Sequence, residues 1–178
     1  INTWFSIIFS LNYFFVSFCV LILINGSNFI DGLNTLNIGY YLLITIVIFF
    51  LNYNDLIYLR DFELKNFIIL LLIVFLFNLF NQFYLGDSGS YLLGFIFSVF
   101  LIYVYNWNSH ISPFFIILLL WYPCYETLFS IIRKYLFKKS PMSPDSNHLH
   151  QLIFSYIKKK LKLKTFTANL MTANFINL

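Results

Sequence analysis

Gly32–Asn54 reads GLNTLNIGYYLLITIVIFFLNYN and contains no Asp, Glu, Lys or Arg. A membrane-spanning helix needs about 20 mostly apolar residues, because that length crosses a hydrocarbon layer about 30 Å thick. This stretch supplies them, and the pattern repeats on both sides of it. Residues 1–30, 66–86, 88–125 and 166–178 also lack all four charged residue types. Of 178 residues, 60% are hydrophobic and 10% charged, against about 25% charged in soluble domains. A soluble chain this short has too little interior to hide so much apolar surface. The sequence predicts an all-α polytopic membrane helical bundle and excludes a soluble globular domain.

Five spans are expected near residues 3–24, 36–51, 66–82, 90–106 and 113–132, with part of a sixth starting near 166. No repeat or low-complexity linker divides the chain, so residues 1–178 read as one membrane-embedded domain. The chain starts at Ile1 inside an apolar run, without the basic region of a signal peptide. Both ends read as incomplete. Alternating spans place loops 25–35, 83–89 and 133–165 on one side and loops 52–65 and 107–112 on the other. Nine of the eleven Lys and Arg residues fall in 133–164. Cytoplasmic loops collect these residues, so the first set of loops is expected to be cytoplasmic. Leu149, Leu152, Ile153, Tyr156 and Leu161, interleaved with lysines, predict an amphipathic helix in the headgroup layer. Cys19 and Cys124 lie in apolar tracts and make neither a disulfide framework nor a metal site. Phe and Tyr, at 24 and 13 residues, accompany frequent Asn, Ile and Lys. These residues share A/T-rich codons, so the aromatic load reads as compositional bias and lipid-facing bulk, with no nucleic-acid surface.

Three polar clusters interrupt the apolar tracts, all on the predicted cytoplasmic side. The first is Asn25–Leu36, with Asn28 and Asp31 at its centre. Amides and a carboxylate there could hold a metal-bound phosphate or a nucleobase edge. They could equally form a helix-to-helix turn in which Asp31 caps the next helix. The second is Leu85-Gly86-Asp87-Ser88-Gly89-Ser90, in which Asp87 is the sole acid between Glu63 and Glu126. Glycines let backbone approach a ligand, a helix N-terminus attracts phosphate, and Mg²⁺ takes one or two protein carboxylates beside substrate phosphates. An Asp N-cap in a Gly/Ser turn is the alternative. The third is Ser140–His150, where Pro141 and Pro144 enforce a loop ahead of Asn147, His148 and His150. Histidines two apart share a face only on extended backbone. With no third ligand nearby, they suit diphosphate contact or proton transfer better than zinc. Polar groups beside apolar spans are costly and tend to be functional, and three such clusters on one face strengthen each other.

Together these residues resemble the polyprenyl-phosphate N-acetylhexosamine-1-phosphate transferases. That membrane family includes the WecA-type enzymes of glycosyltransferase family 4 and the phospho-N-acetylmuramoyl-pentapeptide transferases. Asn28–Leu36 looks like its N-x-x-D-G-x-D-G-L motif, and Leu85–Ser90 like L-G-D-[ST]-G-S. Pro141–His150 looks like the His-containing loop of the WecA branch, and Pro123, Glu126-Thr127 and Arg133 follow the run leading into it. Asn34 and Thr35 stand where the pattern has Asp and Gly, Glu126 where it has Asp, Ser146 where it has Arg, and Gln151 where it has His. The family's paired-Asp motif lies in an earlier loop, so the chain reads as part of the C-terminal half.

The resemblance implies transfer of an N-acetylhexosamine-1-phosphate, GlcNAc-1-phosphate first, from a UDP-sugar to undecaprenyl phosphate, releasing UMP and initiating a cell-envelope glycan. It implies Mg²⁺, with Mn²⁺ as the substitute, held by Asp87. Asp31, His148 and His150 are the further catalytic candidates, and Asn28, Gly86, Ser88 and Asn147 the substrate-binding ones. The setting implied is a bacterial plasma membrane with the active site facing the cytoplasm, and a homodimer is compatible with it. Two readings remain beside this one: the peptidoglycan-branch transferase, and a non-catalytic or degenerate membrane protein.

Overall fold

The computed structural model describes residues 2–108, 110–138, 140 and 147–178, including every side chain except those of 2–10, 61 and 62. The described residues form eight helices and no strand: α1 (Asn2–Ile30), α2 (Leu36–Tyr53), α3 (Asp61–Leu79), α4 (Gly86–Trp107), α5 (Pro113–Leu119), α6 (Trp121–Leu136), α7 (Leu149–Leu161) and α8 (Thr165–Asn177). The all-α membrane bundle expected from the charge-free tracts is what the chain builds. Leu11–Ile30, α2 and α4 are each long and apolar enough to cross a membrane, and α5 with α6 makes a fourth crossing if counted as one broken span. The fuller count of five spans and part of a sixth is not confirmed. Helix α3 carries Asp61, Glu63 and Lys65 in its first five residues, and the 13 residues of α8 reach only about 20 Å.

Helix α1 packs between α4 and α6, while α2 packs against α3 and α8, and α7 against α8. Small residues allow the close crossings. A Cβ added at Gly94 on α4 would lie 2.8 Å from the Ile24 Cα, and one added at Gly26 would lie 2.6 Å from the Pro123 carbonyl carbon. Close backbone approach is how helices gain packing energy in a membrane, where apolar burial supplies little. The centre of the bundle is Tyr41, Phe97 and Tyr122, all fully buried, with Phe97 stacked on Tyr41 at 4.2 Å.

The single span expected over 113–132 is broken. The axes of α5 and α6 differ by 76°. Pro123 is the cause: it has no N–H to give the Leu119 carbonyl four residues earlier, and its ring crowds that carbonyl. The Tyr40 hydroxyl replaces the missing donor at 2.9 Å and accepts from the Tyr122 N–H at 3.4 Å.

Helix α1 also runs further than expected. Asn25 to Ile30 continue the helix, and the turn is confined to residues 31–35. Ser27 explains this: its hydroxyl donates to the Leu23 carbonyl at 2.9 Å and hydrogen-bonds the Tyr41 hydroxyl. At the opposite end, the Tyr58 N–H donates to Asn108 Oδ1 at 2.7 Å and His110 Nε2 lies 2.6 Å from the Leu56 carbonyl. The two loops expected to share that side therefore touch, and His110 is far from the polar clusters.

Candidate active site

The turn after α1 is fastened to the turn before α4. Asn78, near the end of α3, accepts from the Thr35 N–H and donates to the Phe83 carbonyl at 2.8 Å, and Asn34 hydrogen-bonds Asn81. Thr35 takes the left-handed backbone at φ 68° and offers α2 no side-chain cap. Asp31 does not cap α2 either. Its half-buried carboxyl turns toward α4 instead, within the field of Asp87 and within reach of Ser90 and Asn37. Burial pushes the Asp31 pKa up to about 6; hydrogen bonding to Ser90 and Asn37 lowers it, and the Asp87 charge raises it further. The Ser90 hydroxyl also lies 2.9 Å from the Gly86 carbonyl, so its one proton serves one acceptor at a time.

Asp87 lies in the first turn of α4 rather than at its N-cap, which is Leu85. Gly86 opens the helix at φ 60°, a left-handed angle that favours glycine. Gly86, Asp87 and Ser88 are all exposed. Asn28, half-buried on the last turn of α1, donates to the Tyr91 hydroxyl of α4 at 3.2 Å. The first and second clusters therefore form one surface.

The third cluster closes on the same turn. Pro141, Pro144 and the loop they were expected to enforce lie outside the described residues. Asn147 is exposed, and its carbonyl accepts from Arg133 at 2.9 Å. His148 is the extended N-cap of α7, and His150 lies in the first turn. Only His148 is extended, Leu149 and His150 being helical, yet the two rings share a face: they stack at 5.7 Å with 7° between planes. The Phe29 ring lies 5.1 Å from that of His148. Glu126 of α6 anchors the pair, with Oε2 at 2.8 Å from His148 Nδ1 and Oε1 accepting from the Leu149 N–H at 2.7 Å.

His150 is fully buried. Its Nδ1 lies 3.3 Å from the Tyr122 hydroxyl, and its Nε2 has no hydrogen-bond partner among the described residues. That nitrogen faces Gly32, where a Cβ would lie 3.1 Å from ring Cδ2 and closer still to Nε2. In this conformation His150 packs and His148 lies nearer the surface. Burial holds the His150 pKa down to about 4, with Glu126 raising it and His148 lowering it. The unfolded chain takes this proton near 6.5, so between 6.5 and 4 it binds more protons than the folded chain. Stability contributed at this position is therefore lost as pH falls through that window. Relative to His150→Leu, wild-type protein should lose on the order of 3 kcal/mol between pH 6.5 and 4. Thermal unfolding in detergent checks this, and a constant gap between the two proteins would contradict it.

Glu126 and Ser90, which lie in the quoted motifs without an assigned role, and Tyr122, Asn37 and Tyr91, which lie in none, also belong to this site. The available signal was Glu126, the one acid inside an otherwise charge-free run.

The fold and the site together define an integral membrane protein whose polar groups are gathered at one end of a helical bundle. Residues 1–105 match the family described as Glycosyl transferase family 4, and the chain belongs to that family. It is 36% identical over 76 residues to the "Undecaprenyl-phosphate alpha-N-acetylglucosaminyl 1-phosphate transferase" of Thermotoga maritima, covering 43% of this chain and 25% of that protein. It is 31% identical over 137 residues to the "Probable undecaprenyl-phosphate N-acetylglucosaminyl 1-phosphate transferase" of Bacillus subtilis (strain 168), covering 74% of this chain and 37% of that protein. The matched stretch is thus a quarter to just over a third of these relatives. No solved structure matches the chain.

Proposed function

We propose that this chain forms part of an enzyme that transfers N-acetylglucosamine-1-phosphate from UDP-N-acetylglucosamine to undecaprenyl phosphate, at the cytoplasmic face of a bacterial plasma membrane. One observation carries the reading: three polar clusters far apart in sequence meet at one end of the bundle, where Asn28 reaches Tyr91 of α4 and Phe29 and Gly32 lie against the histidine pair. The names of the two relatives and the family membership support it.

In this reaction an oxygen of the lipid phosphate bonds to the β-phosphorus of the nucleotide-sugar. The bond from that phosphorus to the bridging oxygen breaks, and UMP leaves with the oxygen. Such transfer depends mainly on positioning and charge neutralisation. Among the described residues no three His, Cys, Asp or Glu groups gather as a cage. The exposed carboxylate of Asp87, with the Asp31 carboxyl close enough to feel its charge, fits a hard cation that takes its other ligands from phosphate and water, which suits Mg²⁺ or Mn²⁺. Asp87 would hold it, with Asp31 behind, and when bound it would neutralise phosphate charge. Asn28 and the exposed Gly86 and Ser88 place the nucleotide-sugar. His148 contacts the diphosphate, with Asn147 at the edge of its loop, and His150 supports the ring of His148 from beneath.

The test is transfer of radiolabel from UDP-N-acetylglucosamine to undecaprenyl phosphate by the full-length protein in membranes, with Mg²⁺. The expected result is labelled lipid that disappears with EDTA. No labelled lipid from well-inserted protein, with other UDP-sugars also tried, would refute the reading.

A further inference from the structure

We infer that Glu126 is the positioning residue of this site: it starts α7 and sets the ring of His148 through the two oxygens of one carboxylate. The inference rests on the transferase reading for its consequence, but the geometry stands apart from it. Glu126 is 1% exposed, on a helix that is otherwise uncharged until Arg133. A carboxylate is costly to bury there unless both oxygens are engaged, and both are. Helix α7 has no side-chain cap of its own, and the first N–H groups of a helix lack partners within it. Glu126 fills that gap from a different helix by accepting from the Leu149 N–H.

The same side chain fixes the imidazole. With Nδ1 against a carboxylate, the ring keeps its proton at Nδ1 and leaves Nε2 as the working nitrogen. The Phe29 ring lies tilted against it at 5.1 Å and the His150 ring stacks with it at 5.7 Å. His148 is therefore held in one orientation at the edge of the first polar cluster, where a diphosphate would lie. Two contacts at 2.7 and 2.8 Å need this side chain's full reach. An aspartate, shorter by one C–C bond of about 1.5 Å, would keep one contact and lose the other.

The experiment has two arms, both on full-length protein in membranes. In the first, His148 is labelled with diethyl pyrocarbonate and read by mass spectrometry, with His110 as the reference. Wild-type His148 should be protected, and Glu126→Gln should raise its labelling rate about tenfold while His110 is unchanged. Should Glu126→Gln fail to fold, Glu126→Asp replaces it, with an intermediate rise expected. An unchanged His148 rate overturns the inference. The second arm is a double-mutant cycle on transfer. Glu126→Gln should lower kcat about 10²-fold, the scale of one positioned acid or base. In a His148→Ala background it should cause no further loss. Additive losses would overturn action through His148. Altered labelling in a protein that transfers nothing would leave the clamp standing and remove the transferase reading instead.

Discussion

Asp87→Asn should abolish transfer, by on the order of 10³-fold, the upper range for one electrostatic group in an active site, while the protein still inserts and folds. The side chain is exposed, in the first turn of α4, so its loss opens no cavity and breaks no packing. What it removes, under the function proposed above, is the negative charge that would share a cation with substrate phosphates. A second effect follows from the geometry. Burial is the main reason the Asp31 carboxyl is pushed up, and the Asp87 charge adds to it, so neutralising Asp87 eases ionisation of Asp31 slightly. Burial, the larger cause, still holds the Asp31 carboxyl up in the variant, and residual activity measures what Asp31 can do alone. Turnover near the wild-type rate would remove Asp87 from the metal-binding role.

Gly26→Ala should be the most damaging single methyl in the bundle. Its Cβ would meet the Pro123 backbone carbonyl, with the carbonyl carbon at 2.6 Å and the proline Cβ at 2.9 Å. Backbone cannot turn aside as a flexible side chain does, so α1 and α6 must part. Overpacking of this kind costs about 1–3 kcal/mol or more. Separation would also pull Thr127 from the Ile22 carbonyl, which it reaches at 3.1 Å, and move Glu126 away from His148. Gly86→Ala is the comparison: its Cβ meets nothing within 4 Å and strains only a φ of 60°. The yield of folded protein and its thermal midpoint in detergent distinguish them. Equal midpoints for Gly26→Ala and wild type would show that this crossing is looser than drawn.

The membrane-crossing helices were legible because charge is excluded from them, and exclusion is visible residue by residue. Helix α7 was legible too, from Leu149 to Leu161, because its apolar and basic residues alternate at helical spacing. The path of Asn25–Ile30 was not. Asn, Gly and Ser favour turns when read locally, and here tertiary contacts through Gly26 and Ser27 keep them helical. The break at Leu120 was missed because hydropathy is blind to direction; Pro123 was the clue. The meeting of the three clusters followed from counting spans. Which side chain anchors His148 did not follow, since Glu126 and His148 are 22 residues apart and only the fold joins them.

The Tyr40 hydroxyl carries a wider consequence. A helix that snaps inside hydrocarbon exposes peptide dipoles to a medium that cannot solvate them. Here one phenol, rooted in a neighbouring helix, acts as donor to one lip of the fracture and acceptor to the other. The corner is in effect waterproofed from outside its own chain segment, so the angle of α6 is dictated by α2. Any shift of α2 along its axis would be felt as a change in the tilt of α6, and with it in the height of everything that Glu126 holds.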